Sequence, residues 1–315
     1  MNKKIRVGVL GIGGVGGYFG GMLAQKYVSS DSVDIVFITK EATVAVIKDH
    51  GLMLLTSDGE FFVYPDFVTS DPDEVGTLDY LICAVKSYDL EESLLALQPC
   101  ITDETVILPL LNGVDAKERI QMIYPSAQLL EGCVYIVAKI IAPATVQVIG
   151  SMHSLYFGSA SVSLKKQNEL AGILTAEGID CSLFPNIEQL LWEKFIFVSP
   201  LATVTSYLNL PVGTILENEK HAALLRQLVT EAASIAEANS ILLPNIFKIT
   251  MTKIAALPYN ATSSMHNDFL KGGKTEFQTL TEYVIISGLR LDVPTPGYDL
   301  IMSTYSQWKL GYQLK

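Results

Sequence analysis

The residues best suited to chemistry near the start of the chain form a glycine-rich segment, GIGGVGGYFGG, at residues 11–21. It contains the spacing GxGxxG and directly follows the apolar segment IRVGVL. A strand, a glycine turn and a helix in this order form the phosphate-binding element of dinucleotide folds, where the helix N-terminus faces the pyrophosphate. The pattern therefore predicts dinucleotide binding by Gly11, Ile12, Gly13, Gly14, Val15 and Gly16.

A second apolar segment, VDIVFIT, ends directly before Lys40. In an NAD site this position usually carries Asp or Glu for the ribose 2′-hydroxyl, whereas a cation suits the 2′-phosphate of NADP. Lys40 therefore predicts NADP(H) as the cofactor. The alternative is a solvated surface lysine whose charge Glu41 partly offsets.

A lysine also lies on the apolar face of a predicted helix in the segment NIEQLLWEKFIFV, residues 186–198. At helical spacing, Lys194 shares a face with Ile187, Leu191 and Val198. A buried lysine is costly unless it is paired or functional. Lys194 is therefore either a snorkelling side chain at the edge of the stripe or a desolvated amine that donates a proton.

A polar segment, SSMHNDFLKGGKTEF at residues 263–277, precedes a helix predicted over residues 275–287. It places hydroxyl groups, among them that of Ser264, near Glu276 in the sequence. Hydroxyls can bind a substrate carboxylate, and a carboxylate can orient a substrate hydroxyl. The alternative is an ordinary polar loop with a helix cap at Thr275.

Composition narrows the classes of function. The 315 residues carry a formal net charge of −11, which argues against nucleic-acid binding because phosphates require clustered Lys and Arg. The four cysteines are scattered, without CxxC spacing or nearby His pairs. We therefore expect no metal site and no disulfide framework, but reduced thiols in a cytoplasmic protein.

One uncharged segment, residues 195–216, approaches the length of a membrane span. Pro200, Pro211 and Gly213 interrupt it, together with several hydroxyl and amide side chains. We therefore expect a buried helix followed by a turn rather than a membrane-spanning helix.

Further apolar segments predict the rest of a parallel sheet. LDYLICAV and ETVILPLL are expected to form two strands, followed by Lys86 and by Asn112. Ligands bind at the carboxyl edge of an open α/β sheet, which is where these two polar residues would lie. Residues 129–157 are rich in β-forming residues and are expected to extend the same sheet with antiparallel strands.

The character of the chain changes at Pro185, beyond which the pattern is helical. The sequence therefore predicts an α/β class protein with two domains. Residues 1–185 are expected to form a Rossmann-type doubly wound domain that binds NADP. Residues 186–315 are expected to form an all-α C-terminal domain with substrate-binding and catalytic residues.

Together these segments resemble the ketopantoate reductase family, the 2-dehydropantoate 2-reductases. The resemblance covers nearly the whole chain and depends on motifs in a fixed order: GIGGVG, AVKSYD, LLNGVD, LLWEKF, SSMHND with KTEF, and VPTPGYDLI. It implies a C-terminal domain like that of 6-phosphogluconate dehydrogenase. It also implies an activity, the NADPH-dependent reduction of 2-dehydropantoate to (R)-pantoate in pantothenate and coenzyme A biosynthesis.

The resemblance further implies a role for each site residue. Lys194 would be the general acid that protonates the carbonyl oxygen, Glu276 would hold the substrate hydroxyl, and Ser264 would contact the substrate carboxylate. Lys86 and Asn112 would bind both cofactor and substrate beside the nicotinamide. Lys40 would bind the 2′-phosphate.

This sequence departs from the family pattern after the lysine. Family members usually carry asparagines four and eight residues beyond it, where this chain has Val198 and Ala202. Two substrate-facing amides are missing unless Ser199, Thr203 or His266 replaces them. Loss of hydrogen-bond partners relaxes or redirects substrate choice.

Two alternatives therefore remain beside ketopantoate reduction. One is reduction of another branched 2-oxo acid, and the other is a catalytically silent NADP(H)-binding regulator. The helical half has enough apolar surface for a homodimer, although a core alone explains it equally well.

Overall fold

The computed structural model describes residues 3–175 and 179–313. The chain divides into two compact units. The first comprises Met1–Leu111 and Ala116–Ile187, and the second comprises Asn112–Asp115 and Glu188–Lys315. The short segment 112–115, which the sequence assigned to the first domain, thus belongs by its contacts to the second unit.

The first unit contains two sheets and the helices that cover them. Its strands are β1 (Ile5–Leu10), β2 (Val33–Ile38), β3 (Leu52–Thr56), β4 (Gly59–Val63), β5 (Phe67–Thr69), β6 (Tyr80–Cys83), β7 (Val106–Pro109), β8 (Gln128–Leu129), β9 (Glu131–Ala142), β10 (Thr145–Gly158) and β11 (Asp180–Leu183). Its helices are α1 (Gly14–Lys26), α2 (Glu41–His50), α3 (Pro72–Val75), α4 (Leu90–Ala96), α5 (Ala116–Ile123) and α6 (Leu164–Leu174), with 3₁₀ turns at Ser87–Asp89 and Gln98–Cys100.

The first sheet is parallel and has the order β5-β2-β1-β6-β7-β8. Its central strands are apolar on both faces. Val9 packs in the core on the α1 side, whereas Leu10 packs on the opposite side with α4 residues such as Leu90. Helices on both faces make this the predicted Rossmann-type doubly wound sheet, which is confirmed.

The second sheet corrects one expectation. Residues 131–158 do form antiparallel strands, but β9 and β10 do not extend the first sheet. They form a separate sheet of order β11-β10-β3-β4, with β9 paired to β10. A pattern of apolar residues predicts strands but not their partners, so the sequence alone could not distinguish one sheet from two.

The glycines of α1 explain how this helix packs between the two sheets. A Cβ at Gly20 would lie 3.1 Å from Phe37 and from Val9 of the first sheet, while one at Gly21 would lie 2.8 Å from Leu54 of the second. Small residues on both faces let the helix approach both sheets closely. The excess of glycine beyond the GxGxxG spacing therefore serves packing.

The second unit is helical, as the sequence predicts. Its helices are α7 (Ile187–Leu208), α8 (Val212–Glu217), α9 (Glu219–Ala238), α10 (Ile246–Ala255), α11 (Ser264–Leu270), α12 (Tyr283–Leu291), α13 (Pro296–Ser303) and α14 (Tyr305–Gln313), with a π-helix at Gln278–Glu282. The buried side chains of α7 and α9, among them Phe195, Val204 and Leu228, form much of its core. The uncharged segment 195–216 lies in α7 and α8, and none of the helices described has the length and apolar character to cross a membrane.

Candidate functional site

The glycine loop of the first unit has the geometry of a phosphate-binding turn. Gly11 has φ +90°, a backbone conformation that favours glycine, and its N–H donates to the Ile38 carbonyl oxygen over 2.9 Å. A Cβ at Gly16 would collide with the Gly11 carbonyl oxygen, and it would lie 3.0 Å from the Ala84 Cβ. Gly16 therefore allows the start of α1 to lie directly on the turn.

Gly13 differs from Gly11 and Gly16 because the space beside its Cα, where a side chain would lie, is open. Apart from its chain neighbours, no described atom lies within 4 Å of the position that a Cβ would take there. Gly13 is also the N-cap of α1 and has no side chain with which to bond the first N–H groups of the helix. Open space beside uncapped N–H groups fits a dinucleotide pyrophosphate, so the residues present suit the cofactor that the sequence predicts.

Both predicted lysines of the first unit lie just beyond a strand of the parallel sheet. Lys40 follows β2, is exposed, and occupies the N-cap of α2. Lys86 follows β6, is half-buried, and precedes the 3₁₀ turn at Ser87–Asp89. Both therefore lie at the carboxyl edge of this sheet, where ligands of open α/β sheets bind.

The structure brings together two predicted residues that are far apart in the sequence. The Asn112 side-chain amide donates to Glu276 Oε2 over 3.3 Å, and the Glu276 side chain is buried. The next residue, Gly113, has φ +101°, and a Cβ there would collide with Thr279. The loop after β7 is thus seated on the segment that follows Glu276, and glycine is required for this approach.

That segment is a π-helix, not the start of a regular helix at Thr275 as the sequence predicts. The π-helix spans Gln278–Glu282 and continues into α12. Two hydroxyls of α7 hold it: Ser199 donates to the Leu280 carbonyl oxygen over 2.5 Å, and Thr203 bonds Thr281 Oγ1 over 2.7 Å. A wider turn exposes carbonyl oxygens that α-helical geometry would satisfy within the helix, and a side chain can then bond them.

The same helix, α7, also contacts the polar segment that contains Ser264. Thr205 Oγ1 lies 2.9 Å from Ser263 Oγ, and Ser263 caps α11 by accepting from the His266 N–H over 3.0 Å. Ser264 is the first residue of α11 and is exposed. Helix α7 therefore joins the two segments in which the sequence places substrate-binding residues.

Lys194 lies on α7, N-terminal to Ser199 and Thr203, the two residues whose hydroxyls bond the π-helix. Its side chain is half-buried, as are Leu191 and Val198 on the same face, while Ile187 is buried. The lysine therefore lies at the boundary of the apolar stripe.

His266 is a buried group whose surroundings the sequence did not reveal. Its Nδ1 bonds the Thr262 hydroxyl, and its Nε2 lies 2.9 Å from Asn209 Oδ1. Burial lowers the pKa of His266 below its ordinary value of 6.5, so the ring is neutral at neutral pH. The neutral imidazole then donates from Nε2 to Asn209 and accepts from Thr262 at Nδ1.

Cysteine chemistry finds no support in the described part of the chain. Burial raises the pKa of Cys83 to about 12, and burial followed by the charge of Asp180 raises that of Cys181 to about 12. Both thiols are therefore protonated at neutral pH and are poor nucleophiles. No cluster of His, Cys, Asp and Glu among the described residues could hold a metal ion.

The sequence analysis named Ser199 and Thr203 only as possible replacements for the missing amides and missed that their hydroxyl groups organise the second unit. Ser199 also bonds Tyr298 Oη over 2.7 Å, and Thr203 lies one turn further along α7. The available signal was the spacing of four between Ser199 and Thr203 in the uncharged part of the helix, where buried hydroxyls need internal partners. The identity of those partners was not available from that spacing.

Comparison with known protein families gives matches to both units. The family model described as "Ketopantoate reductase PanE/ApbA" matches residues 7–161. The model "Ketopantoate reductase PanE/ApbA C terminal" matches residues 186–308. Together they cover most of the chain.

Individual relatives agree with these matches. The chain is 31% identical to 2-dehydropantoate 2-reductase from Porphyromonas gingivalis W83, with a TM-score of 0.84, and the match covers 96% of this chain and 100% of that one. It is 25% identical to the uncharacterized oxidoreductase YkpB of Bacillus subtilis over 96% of this chain and 98% of that protein. A D-mandelate dehydrogenase, solved with NADH and anilino(oxo)acetate, has the same fold at 22% identity and a TM-score of 0.84, covering 98% of this chain and 100% of that one.

Proposed function

Since the chain belongs to the ketopantoate reductase family, we propose that it reduces a 2-oxo acid to the 2-hydroxy acid with NADPH. The substrate that the family resemblance favours is 2-dehydropantoate, which would give (R)-pantoate. The observation that carries the proposal is the hydrogen bond from Asn112 to Glu276. It brings together two residues, from distant parts of the chain, that the family resemblance assigns to the same site.

Lys194 is the proton donor in this proposal. NADPH, when bound, would supply the hydride for the carbonyl carbon, and negative charge would then develop on the carbonyl oxygen. The Lys194 ammonium donates its proton to that oxygen, which yields the alcohol and a neutral amine that solvent reprotonates. A positioned cationic donor both stabilises the developing charge and completes the proton transfer.

The remaining site residues orient the substrate. Ser264, whose hydroxyl is exposed at the first residue of α11, would donate to the substrate carboxylate. Glu276 accepts a substrate hydroxyl, and its hydrogen bond with Asn112 fixes the direction of its carboxylate. Lys86 adds positive charge for the anionic ligands.

The first unit supplies the cofactor site in this proposal. The N–H groups at the start of α1, which have no side-chain cap at Gly13, would hold the pyrophosphate, and Lys40 would hold the 2′-phosphate that distinguishes NADPH from NADH.

A second candidate is reduction of another branched 2-oxo acid. It is favoured by Val198 and Ala202, which replace the usual amides of the family on the helix of Lys194. A silent NADP(H)-binding regulator is disfavoured because it would need neither Lys194 nor Glu276.

The test is a substrate screen with the purified full-length protein. Oxidation of NADPH and of NADH is followed at 340 nm with 2-dehydropantoate, 3-methyl-2-oxobutanoate and other small 2-oxo acids. We expect turnover with at least one acid and a higher kcat/KM with NADPH than with NADH. Tight NADPH binding without oxidation in the presence of any 2-oxo acid would contradict the proposal and favour the regulator.

A further inference from the structure

We propose that Tyr298 is a positioning residue of the substrate site, whose hydroxyl acts through Ser199 on the π-helix and thereby fixes the backbone position of Glu276. This inference rests on the proposed function, in which Glu276 accepts the distal hydroxyl of the substrate. Tyr298 lies in the segment VPTPGYDLI, which the proposed reaction otherwise leaves without a role.

The hydroxyls of Tyr298 and Ser199 form a hydrogen-bond chain with a fixed direction. Ser199 Oγ donates to the Leu280 carbonyl oxygen over 2.5 Å, and it lies 2.7 Å from Tyr298 Oη. A serine hydroxyl has a single proton. Since that proton points to Leu280, Tyr298 is the donor in the second bond. Burial raises the pKa of Tyr298 above its ordinary value of 10, so the phenol keeps the proton that it donates.

A second hydroxyl of α7 shows the alternative that is open to Ser199. A serine or threonine hydroxyl inside a helix can donate to the carbonyl oxygen four residues earlier. Thr205 does so, since its Oγ1 donates to the Leu201 carbonyl oxygen over 2.7 Å. Ser199 instead donates away from its own helix, to the π-helix. Donation from Tyr298 strengthens this outward bond, because hydrogen bonds in a chain polarise one another.

Leu280 connects the hydrogen-bond chain to the substrate site. Its carbonyl oxygen accepts from Ser199, and its N–H donates to the Glu276 carbonyl oxygen over 2.9 Å. Leu280 belongs to the π-helix Gln278–Glu282, a rare geometry that is frequent at functional sites. A displacement of Leu280 would therefore displace Glu276, whose carboxylate accepts from Asn112 over 3.3 Å.

The position of Tyr298 is itself fixed by a buried carboxylate, that of Glu231 on α9. Glu231 is 6% exposed, and its two oxygens accept from the Gly297 N–H over 2.8 Å and from the Tyr298 N–H over 3.1 Å. Gln227 donates a further bond to Glu231 Oε1 over 2.8 Å. These bonds hold the start of α13, so Tyr298 presents its hydroxyl from a rigid point. Rigid support is what a positioning group requires.

The experiment measures whether loss of the Tyr298 hydroxyl weakens recognition of the substrate hydroxyl. The acids 2-dehydropantoate and 3,3-dimethyl-2-oxobutanoate differ only in the hydroxyl on C4, so the ratio of their kcat/KM values reports the Glu276 interaction. With the full-length protein and NADPH, we expect the parent ratio to favour 2-dehydropantoate by at least about tenfold. Tyr298→Phe should lower this ratio about fivefold, chiefly through a higher KM for 2-dehydropantoate, because a displaced Glu276 no longer meets the hydroxyl.

Tyr259→Phe is the matched control in the same unit. The Tyr259 hydroxyl donates to Glu217 Oε2 over 2.7 Å, outside the hydrogen-bond chain. This variant also loses a tyrosine hydroxyl bond, but its ratio should stay within about twofold of the parent value. If Tyr298→Phe lowers only the melting temperature, or changes neither temperature nor ratio, Tyr298 is a structural residue and the inference is overturned.

A double-variant cycle tests the route through Ser199. Ser199→Ala removes the middle group of the hydrogen-bond chain and should lower the ratio at least as much as Tyr298→Phe does. Adding Tyr298→Phe to Ser199→Ala should then change the ratio by less than about twofold, because both act through one route. Ratios that multiply as independent effects would overturn the inference.

The parent protein separates failure of this inference from failure of the proposed function. Absence of turnover with every 2-oxo acid overturns the proposed function, and this inference with it. Turnover without a preference for 2-dehydropantoate leaves the reductase activity in place, but it overturns the role of Glu276 on which the inference depends.

Discussion

The glycine loop of the first unit and the Asn112–Glu276 region of the second are built in opposite ways. The loop is a continuous segment, residues 11–16, in which backbone N–H groups and the absence of side chains matter. The Asn112–Glu276 region joins residues 164 positions apart through their side chains. Its support comes from α7, whose hydroxyls reach the π-helix across 81 and 78 positions.

This difference explains which part of the proposed site can be predicted from the sequence and which part depends on the fold. A phosphate site made of backbone depends on local conformation, so the spacing of glycines reveals it. A substrate site made of side chains depends on which distant segments the fold brings together. Substitutions in the two regions should therefore have different effects. The largest expected effect is a loss of catalytic activity, and the smallest is a change in the pH dependence of stability.

The largest effect is expected at Lys194. Lys194→Ala should lower kcat for the 2-oxo acid by at least about a hundredfold, because a lost general acid typically costs that much. NADPH binding, measured by fluorescence titration, should remain close to that of the parent protein if the cofactor site belongs to the first unit. Lys48→Ala, at an exposed position of α2, is the control and should leave kcat unchanged. A loss below tenfold would refute the assignment of Lys194 as the acid.

The next effect separates two roles of glycine within the loop. Gly13→Ala adds a methyl group in open space and should keep the melting temperature while weakening NADPH binding by about tenfold or more, because the methyl group occupies the approach to the pyrophosphate. Gly16→Ala should instead lower stability by about 1–3 kcal/mol, because its Cβ collides with the Gly11 carbonyl oxygen. Equal loss of stability in both variants would mean that the loop is only a packing feature.

A smaller effect is expected at Lys40. Lys40→Ala should reduce the preference for NADPH over NADH by about fivefold, as expected for one partly solvated charge pair with the 2′-phosphate. The ratio of kcat/KM for the two cofactors measures it, and Lys48→Ala on the same helix serves again as the control. An unchanged ratio would identify Lys40 as a solvated surface lysine.

The smallest effect concerns the pH dependence of stability in the second unit. Burial lowers the pKa of His266 in the folded protein, so the unfolded chain binds a proton at this residue more readily. His266 therefore contributes stability above pH 6.5 that is lost as the pH falls through its unfolded and then its folded pKa. Denaturant unfolding between pH 7.5 and 5 should show this decline, and His266→Gln should reduce its slope. A slope identical to the parent's would mean that other groups cause it.

Several elements could be predicted because their causes are local. The strands β1, β2, β6 and β7, the glycine turn and the helical second half all follow from short patterns, and the fold class and the family are confirmed. The second sheet was assigned wrongly because strand partners are not encoded in a strand's own pattern. A regular helix was predicted from Thr275, whereas the structure has a π-helix at Gln278–Glu282, where hydroxyls of α7 bond Leu280 and Thr281.

By itself the sequence determined the glycine turn and the chemical types of the candidate site residues, since glycine spacing and side-chain identity are properties of the chain. Only the tertiary structure decided that the Asn112 amide donates to Glu276. It also decided that Ser199, Thr203 and His266 are engaged within the helical unit rather than replacing the missing amides. The physical reason is that a buried polar group must bond whatever the fold places beside it, and that neighbour comes from a distant part of the chain.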